Sequence, residues 1–227
     1  MCGRFNDHLP RMHAWVDWLG RWSPSEIGVM PSYNVAPSRQ IAVQIVEADG
    51  LASAQAMRWG LIPKWSKEFK SKYATFNARI ESIKSKPSYQ NAWRQRQRCV
   101  IPMSGYYEWR NGDNNTGTPQ KQAFYISDLN DGLLLAAGIY EIWGEQNLSC
   151  SMLTQPASQL LAGIHQRMPV LLTSRTIEQW LHASNDEVLA DYQEYESPDL
   201  VFWPVSNAVG SPRNDHRGLI EEVALST

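Results

Sequence analysis

Along most of this chain apolar residues alternate with polar ones or gather in short bursts, and helical spacing is confined to a few stretches. Ile41-Ala42-Val43-Gln44-Ile45-Val46 predicts a strand, Asp49-Gly50 a hairpin turn, and Leu51 to Trp59 the return strand. Further strands are predicted over Cys99 to Met103, Tyr106 to Arg110, Ala123 to Ser127, Leu133 to Trp143 and Ser149 to Thr154. Met12, Trp15, Val16 and Leu19 recur near helical spacing, which predicts a helix over Pro10 to Leu19, and Trp22 to Pro31 reads as a loop. Other helices are expected over Pro87 to Arg94, Ser158 to Ile164, Ser174 to His182 and Asp186 to Gln193, with a strand ending at Leu172. Short strands, local turns and peripheral helices predict an α+β fold whose antiparallel, β-rich core is barrel-like or sandwiched. No repeat, low-complexity tract or linker divides residues 1–227, so one domain is expected.

Composition narrows the setting. With 227 residues, 43% hydrophobic and 19% charged, the chain can bury a substantial core. No run approaches the roughly 18 apolar residues of a membrane span, and the amino end lacks the basic flank and apolar core of a secretory signal. A cytoplasmic protein with no membrane partner is expected. Cys2, Cys99 and Cys150 are far apart without C-x-x-C pairing, and the five histidines show no ligand spacing, so neither a disulfide framework nor a metal or other cofactor is expected. Net charge is only −2, but residues 58–98 hold eleven Lys or Arg against Glu68 and Glu81, a local balance of +9. That separation suits one positive face turned to a polyanion.

Chemistry begins at the second residue. Loss of the initiator methionine, expected before a small residue, leaves Cys2 with a thiol and a primary amine on adjacent carbons. Their ordinary pKa values, about 8.5 and about 7.7 to 8.0, make both partly nucleophilic at neutral pH. Such a pair condenses with an aldehyde first as an imine and then as a five-membered thiazolidine, or serves as an N-terminal nucleophile whose amine is base to the thiol. Arg58-Trp59-Gly60-Leu61-Ile62-Pro63-Lys64-Trp65 interleaves cations with rings, and Trp59 and Trp65 are candidate stacking platforms for single-stranded bases or parts of a tryptophan-rich loop that closes the core, since ten tryptophans cannot all be exposed. Asn77, Arg79 and Glu81 alternate, so an extended segment puts them on one face, where Arg79 grips a phosphate or pairs with Glu81. Glu108 lies among aromatics in Gly105-Tyr106-Tyr107-Glu108-Trp109, an environment that raises a carboxyl pKa and suits a general acid and base. His165, two residues before Arg167, is a candidate proton shuttle or a helix cap.

Taken together, Met1-Cys2-Gly3-Arg4-Phe5, Tyr33-Asn34-Val35-Ala36-Pro37, Arg58 to Pro63, Asn77-Ala78-Arg79-Ile80-Glu81, Arg98-Cys99, Gly105 to Trp109 and His165-Gln166-Arg167-Met168-Pro169 closely resemble the SOS response-associated peptidase (SRAP) family. The likeness continues through Trp203-Pro204-Val205-Ser206 and Val209-Gly210. It implies the SRAP fold, covalent attachment to abasic sites in single-stranded DNA, and possible lyase and autoproteolytic activities. Cys2 is then the attacking residue, Asn77 and His165 hold and protonate the opened sugar, and Glu108 assists ring opening and proton transfer. Arg4, Arg79 and Arg167 hold phosphates, and Asn34, Pro37 and Trp109 join the DNA-contacting positions. Position 166, often Asp in relatives, is Gln here. The implied partner is single-stranded DNA bearing abasic sites, met by a monomer. Three other readings share these residues: a glutamine-type amidohydrolase using Cys2, with Asn111-Gly112-Asp113 as a possible oxyanion element or a plain hairpin tip; a peptidase using Cys2 and Glu108; and a binding module using the basic segment alone.

Overall fold

A computed structural model describes residues 2–8, 27–47, 49–111, 121–130, 132–195 and 197–225. The helix expected over Pro10 to Leu19, most of the loop expected from Trp22, and the tip at Gly112-Asp113 lie outside these residues.

Twelve strands are described: β1 (Arg4–Asn6), β2 (Gln40–Val46), β3 (Ala52–Trp59), β4 (Asn77–Arg79), β5 (Arg98–Met103), β6 (Gly105–Arg110), β7 (Gln122–Asp128), β8 (Leu134–Trp143), β9 (Asn147–Pro156), β10 (Arg167–Pro169), β11 (Leu171–Leu172) and β12 (Leu200–Val205). Strands β9, β3, β2, β5 and β8 hydrogen-bond in that order, and β8 pairs again with β9, which closes a five-stranded barrel. The β3–β9 pair is parallel and the other four are antiparallel, so the barrel is mixed. Beside it stands an antiparallel sheet of order β1-β6-β7-β12. The expected α+β class with a barrel-like core is what the chain forms.

Period-two alternation explains how single strands serve two cores. In β5, Cys99, Ile101 and Met103 enter the core that includes the barrel interior, whereas Val100 faces a second core. That second core is covered by α1 (Gln90–Arg94), α2 (Ser174–His182) and α3 (Asn185–Asp191), which contribute Trp93, Ile177, Trp180 and Val188. A strand covered on both sides reads as one apolar run, as Cys99 to Met103 does. At Gly138 of β8 an added Cβ would lie 2.8 Å from the Cys99 sulfur, so the close approach of these strands requires glycine. The predicted β2–β3 hairpin closes at Gly50, whose φ of +83° suits glycine.

Arg98 ties the helices to the barrel. Its guanidinium donates to the carbonyls of Trp180 and Ala183 and to Asn185 Oδ1, between the rings of Trp93 and Trp180. Burial lowers its pKa to about 10. Helix α2 spans the residues predicted, while α3 starts at Asn185 after a Ser184–Glu187 capping box and ends in a 3-10 turn, Tyr192–Glu194. The helix predicted over Ser158 to Ile164 is instead two linked turns, closed by bonds to the carbonyls of Ser158 and Leu161. So short a segment, interrupted by Gly163, does not repay helix nucleation. Three strands had no clear alternation to announce them: β1 and β4 have three residues each, and β12 carries Pro204.

Candidate active site

The barrel and the four-stranded sheet share one core, in which Phe5 and Tyr106 of the sheet join Trp59 and Met152 of the barrel. Strand β9 runs beyond the barrel, pairing in parallel with β4 through Asn77↔Met152 and antiparallel with β10 through Arg167↔Pro156. It thereby brings Asn77 and Arg79 from one strand together with Arg167 from another. From the opposing sheet, β6 supplies Glu108 on the same face as Tyr106, which contributes to the barrel-side core. Cys2 precedes β1, whose Phe5 is bridged to Val35 and paired with Tyr106.

These elements assemble a compact cluster. Cys2 is fully buried, and its sulfur lies 3.6 Å from the Arg4 carbonyl oxygen. Burial, with the Glu108 charge adding to it, pushes the Cys2 thiol pKa well up, so the sulfur is held as a thiol. Asn77 Nδ2 donates to the Cys2 carbonyl oxygen at 2.6 Å, and Tyr89 donates its hydroxyl to the Asn77 carbonyl at 2.9 Å. Glu108 is 4% exposed, and burial raises its pKa to about 7. The exposed strand position that a glutamate ordinarily takes is thus not where Glu108 sits. His165 Nδ1 lies 3.7 Å from Glu108 Oε1 and accepts from the Arg167 backbone N–H at 3.0 Å. Burial lowers the His165 pKa and favours the neutral ring. With 30% of its side chain accessible, His165 forms an open edge of the cluster.

Arg167 donates to both Glu81 carboxylate oxygens, at 2.6 and 3.0 Å, and to the Thr154 carbonyl. Burial is the largest single influence on Glu81 and would raise its pKa, but the hydrogen bonds from Arg167, a backbone hydrogen bond and the charges of Arg167 and Arg79 together hold the carboxyl below its ordinary range. Glu81 therefore pairs with Arg167 and leaves Arg79 exposed. The alternation expected across residues 77, 79 and 81 stops at Arg79, because Ile80–Ser82 is a 3-10 turn.

Two of the expected DNA contacts, Trp59 and Asn34, are interior. Trp59 is wholly buried, edge-on to Phe5 and Phe76, with its indole N–H on the Phe76 carbonyl. It cannot stack on a base; it braces β1 against the approach to Asn77. Asn34 is also interior, its amide N–H groups directed to the carbonyls of Val209, Ser211 and Asn214. Its oxygen receives Arg4, whose guanidinium also binds the carbonyls of Val209 and Gly210. Asn34 and Arg4 thus fasten the segment after β12 to the strand that follows Cys2. Asp215 completes the clasp by accepting from the Ser32 hydroxyl and the Tyr33 N–H. Pro37 is half-buried beside the turn at Ser38, and Trp109 is half-buried against the cluster around Tyr107, Tyr125 and Val205.

Trp65 differs from Trp59 in its exposure. It is 59% exposed, its N–H is directed at the Pro87 carbonyl, and it borders a cavity of about 490 Å3 lined also by Lys67, Lys70, Lys72 and Tyr73, with Glu68 the one carboxylate in the lining. Sequence reading missed the clasp and the Arg167–Glu81 pair, since both join residues more than 80 positions apart. Among the described residues there is no grouping of His, Cys, Asp or Glu that could hold a metal, and no helix long and apolar enough to cross a membrane.

Comparison with known proteins agrees with this architecture. A crystal structure of a Bacteroides thetaiotaomicron protein superposes with a TM-score of 0.79 at 23% identity, covering 98% of this chain and all of the other, which establishes the shared fold. The abasic site processing protein YoqW of Bacillus subtilis is 36% identical over 198 residues, 84% of this chain and 86% of that relative. YoaM, an abasic site processing protein from the same organism, is 32% identical over 97% of this chain and 98% of its own length. The abasic site processing protein HMCES of Rattus norvegicus is 31% identical over 95% of this chain and 74% of its own length. The sequence profile of the SOS response associated peptidase (SRAP) family matches residues 1–212, and the chain belongs to that family.

Proposed function

We propose that this protein processes abasic sites and does so by capturing them covalently in single-stranded DNA through Cys2. The observation that carries the reading is the gathering of Cys2, Asn77, Glu108 and His165 into one cluster from four separate segments of the chain. Its relatives are named as abasic site processing proteins, which supports the substrate class.

Loss of residue 1 turns the Cys2 nitrogen from an amide into a primary amine. An abasic deoxyribose opens to an aldehyde when a proton leaves its C1 hydroxyl and another reaches the ring oxygen. His165, at the open edge, is placed to exchange the proton on the sugar oxygen. The neutral amine then adds to C1, and Glu108, protonated about half the time near pH 7, gives its proton to the departing hydroxyl as water leaves. An imine results. Because burial keeps the sulfur protonated, its proton must pass to a base before it attacks, and the Glu108 carboxylate is that base. The sulfur pair forms the C–S bond and the C=N pair returns to nitrogen, which keeps the proton it already carries, while Glu108 holds the thiol proton and ends as it began. Both nucleophiles end on one carbon, closing a thiazolidine.

Phosphates flanking the lesion fall to Arg79 and Arg167, and the adjoining strand to the cavity beside Trp65, with Pro37 and Trp109 along the margin. Single strands are preferred because a sugar without a base enters a closed pocket with no duplex to unpair. Intact mass spectrometry after incubation with an abasic oligonucleotide tests the reading. The expected mass is protein without Met1 plus oligonucleotide minus one water. A durable adduct that still carries Met1 would refute it.

A further inference from the structure

We propose that Tyr106 is a further catalytic residue of this site, its hydroxyl donating a hydrogen bond to the Cys2 sulfur as that sulfur loses its proton. The proposal rests on the covalent-capture reading above and adds a group to it.

The observation behind it is an unexplained hydroxyl. Tyr106 is 1% exposed, and its oxygen has no hydrogen-bond partner among the described residues. Nearby tyrosines show how unusual that is. Tyr107 donates to the Tyr33 carbonyl, Tyr125 accepts from Asn6, and Tyr89 donates to the Asn77 carbonyl. Buried polar groups are satisfied with few exceptions, and an orphan in a native fold calls for a reason. Packing supplies none, because phenylalanine fills the same space without burying an unpaired hydroxyl.

Placement supplies one. Tyr106 pairs with Phe5, three residues after Cys2, and both belong with Cys2 to one core cluster. Two residues further along β6, on the same face, stands Glu108. The Tyr106 phenol is close enough to Cys2 and Glu108 for negative charge on either to raise its pKa, in the direction burial already drives it. It therefore keeps its proton throughout and acts only as a donor. That is what the sulfur lacks, since its one hydrogen bond among the described residues is to an acceptor, the Arg4 carbonyl. As the thiol proton passes to the Glu108 carboxylate, the thiolate gains the Tyr106 O–H as a partner. The bond is given up when the sulfur pair is committed to carbon.

Tyr106→Phe removes one oxygen and leaves the ring. The expected result is a melting temperature equal to or above the parent's and an unchanged rate of imine formation on an abasic oligonucleotide, read by borohydride trapping. Formation of the heat-stable adduct falls about tenfold or more, and the limb of its pH profile that reports thiol ionisation moves to higher pH. A heat-stable adduct formed at the parent rate with an unshifted profile would overturn the proposal. So would a marked loss of thermal stability, which would show that the hydroxyl is bonded within the fold. A parent protein that forms no adduct at all would instead sink the covalent-capture reading, so the two failures are told apart.

Discussion

Asn77 Nδ2 donates to the Cys2 carbonyl oxygen at 2.6 Å, while Asn77 Oδ1, equally buried, has no partner among the described residues. One end of the amide therefore fixes the backbone of the nucleophile, and the other waits for a donor that a substrate hydroxyl or amine can supply. Because near-attack geometry is sensitive to displacements of about 1 Å, Asn77→Ala is expected to slow adduct formation about ten- to a hundredfold. Affinity for undamaged single strands should stay within about twofold, since Asn77 meets no phosphate in this scheme. Time courses on denaturing gels beside binding isotherms check both halves, and parallel losses would place Asn77 in the fold instead.

Cys2→Ala separates the two nucleophiles. Alanine still permits removal of Met1, so the amine remains and the sulfur is gone. Borohydride is expected to trap an imine with an abasic oligonucleotide, and no heat-stable adduct should accumulate. Survival of a heat-stable adduct in this variant would rule out ring closure by sulfur.

Glu108 links catalysis to stability through its protonation. Its carboxyl rises from 4.5 to about 7 on folding, so between those values the folded chain binds the proton more tightly than the unfolded one. The stability this contributes is complete below about pH 4.5 and is lost as pH rises through about 7. Glu108→Gln is therefore expected to melt close to the parent at pH 4.5 and above it at pH 8, by an amount on the order of 3 kcal/mol at most. The same variant should lose the base for the thiol proton and close the thiazolidine slowly at every pH. A melting difference that is constant with pH would show that Glu108 is not buried as a charge.

Much of this was open to inspection in the sequence, and what was not has a physical reason. The β2–β3 hairpin, β5 to β9 and helix α2 were legible because alternation, turn chemistry and helical spacing act over neighbouring residues. Cys2 and Glu108 stood out by residue type and local company, and the fold buries the first beside Asn77 and the second beside His165. Trp59 misled because a ring between Arg58 and Gly60 looks the same whether it faces solvent or Phe5 and Phe76. Asn34 misled because a polar side chain suggests surface, whereas here its amide satisfies carbonyls delivered by residues 209–214. No local pattern encodes a partner so distant. Barrel closure through the β8–β9 pair and the position of β12 were hidden for the same reason.

Arg79 and Arg167 differ in what they offer a phosphate. Arg79 is exposed and has no ion-pair partner among the described residues, whereas Arg167 is held by Glu81. Loss of one phosphate contact lowers the salt slope of single-strand binding by about 0.7, so Arg79→Ala should flatten the slope by about that much. Glu81→Gln should act oppositely, freeing a cation, tightening binding and steepening the slope. Titrations between low and physiological salt give both numbers, and an unaltered slope for Arg79→Ala would remove that residue from the interface.

Trp59 and Trp65 lie six residues apart and belong to different problems. The first is sealed between β1 and the segment leading to Asn77; the second stands 59% exposed over a lysine-lined cavity. Truncating a buried tryptophan costs about 3 to 5 kcal/mol, and the site depends on the strands that Trp59 braces, so Trp59→Ala should reduce stability and adduct formation together. An exposed ring away from the core contributes within about 0.5 kcal/mol to stability. Trp65→Ala should therefore melt with the parent yet lose about 1 to 3 kcal/mol of single-strand affinity, the worth of one stacked base. Oligonucleotides of increasing length locate that loss: it should be absent from strands too short to leave the lesion pocket and full once the strand reaches the cavity. Equal affinity at every length would leave the cavity outside the DNA path.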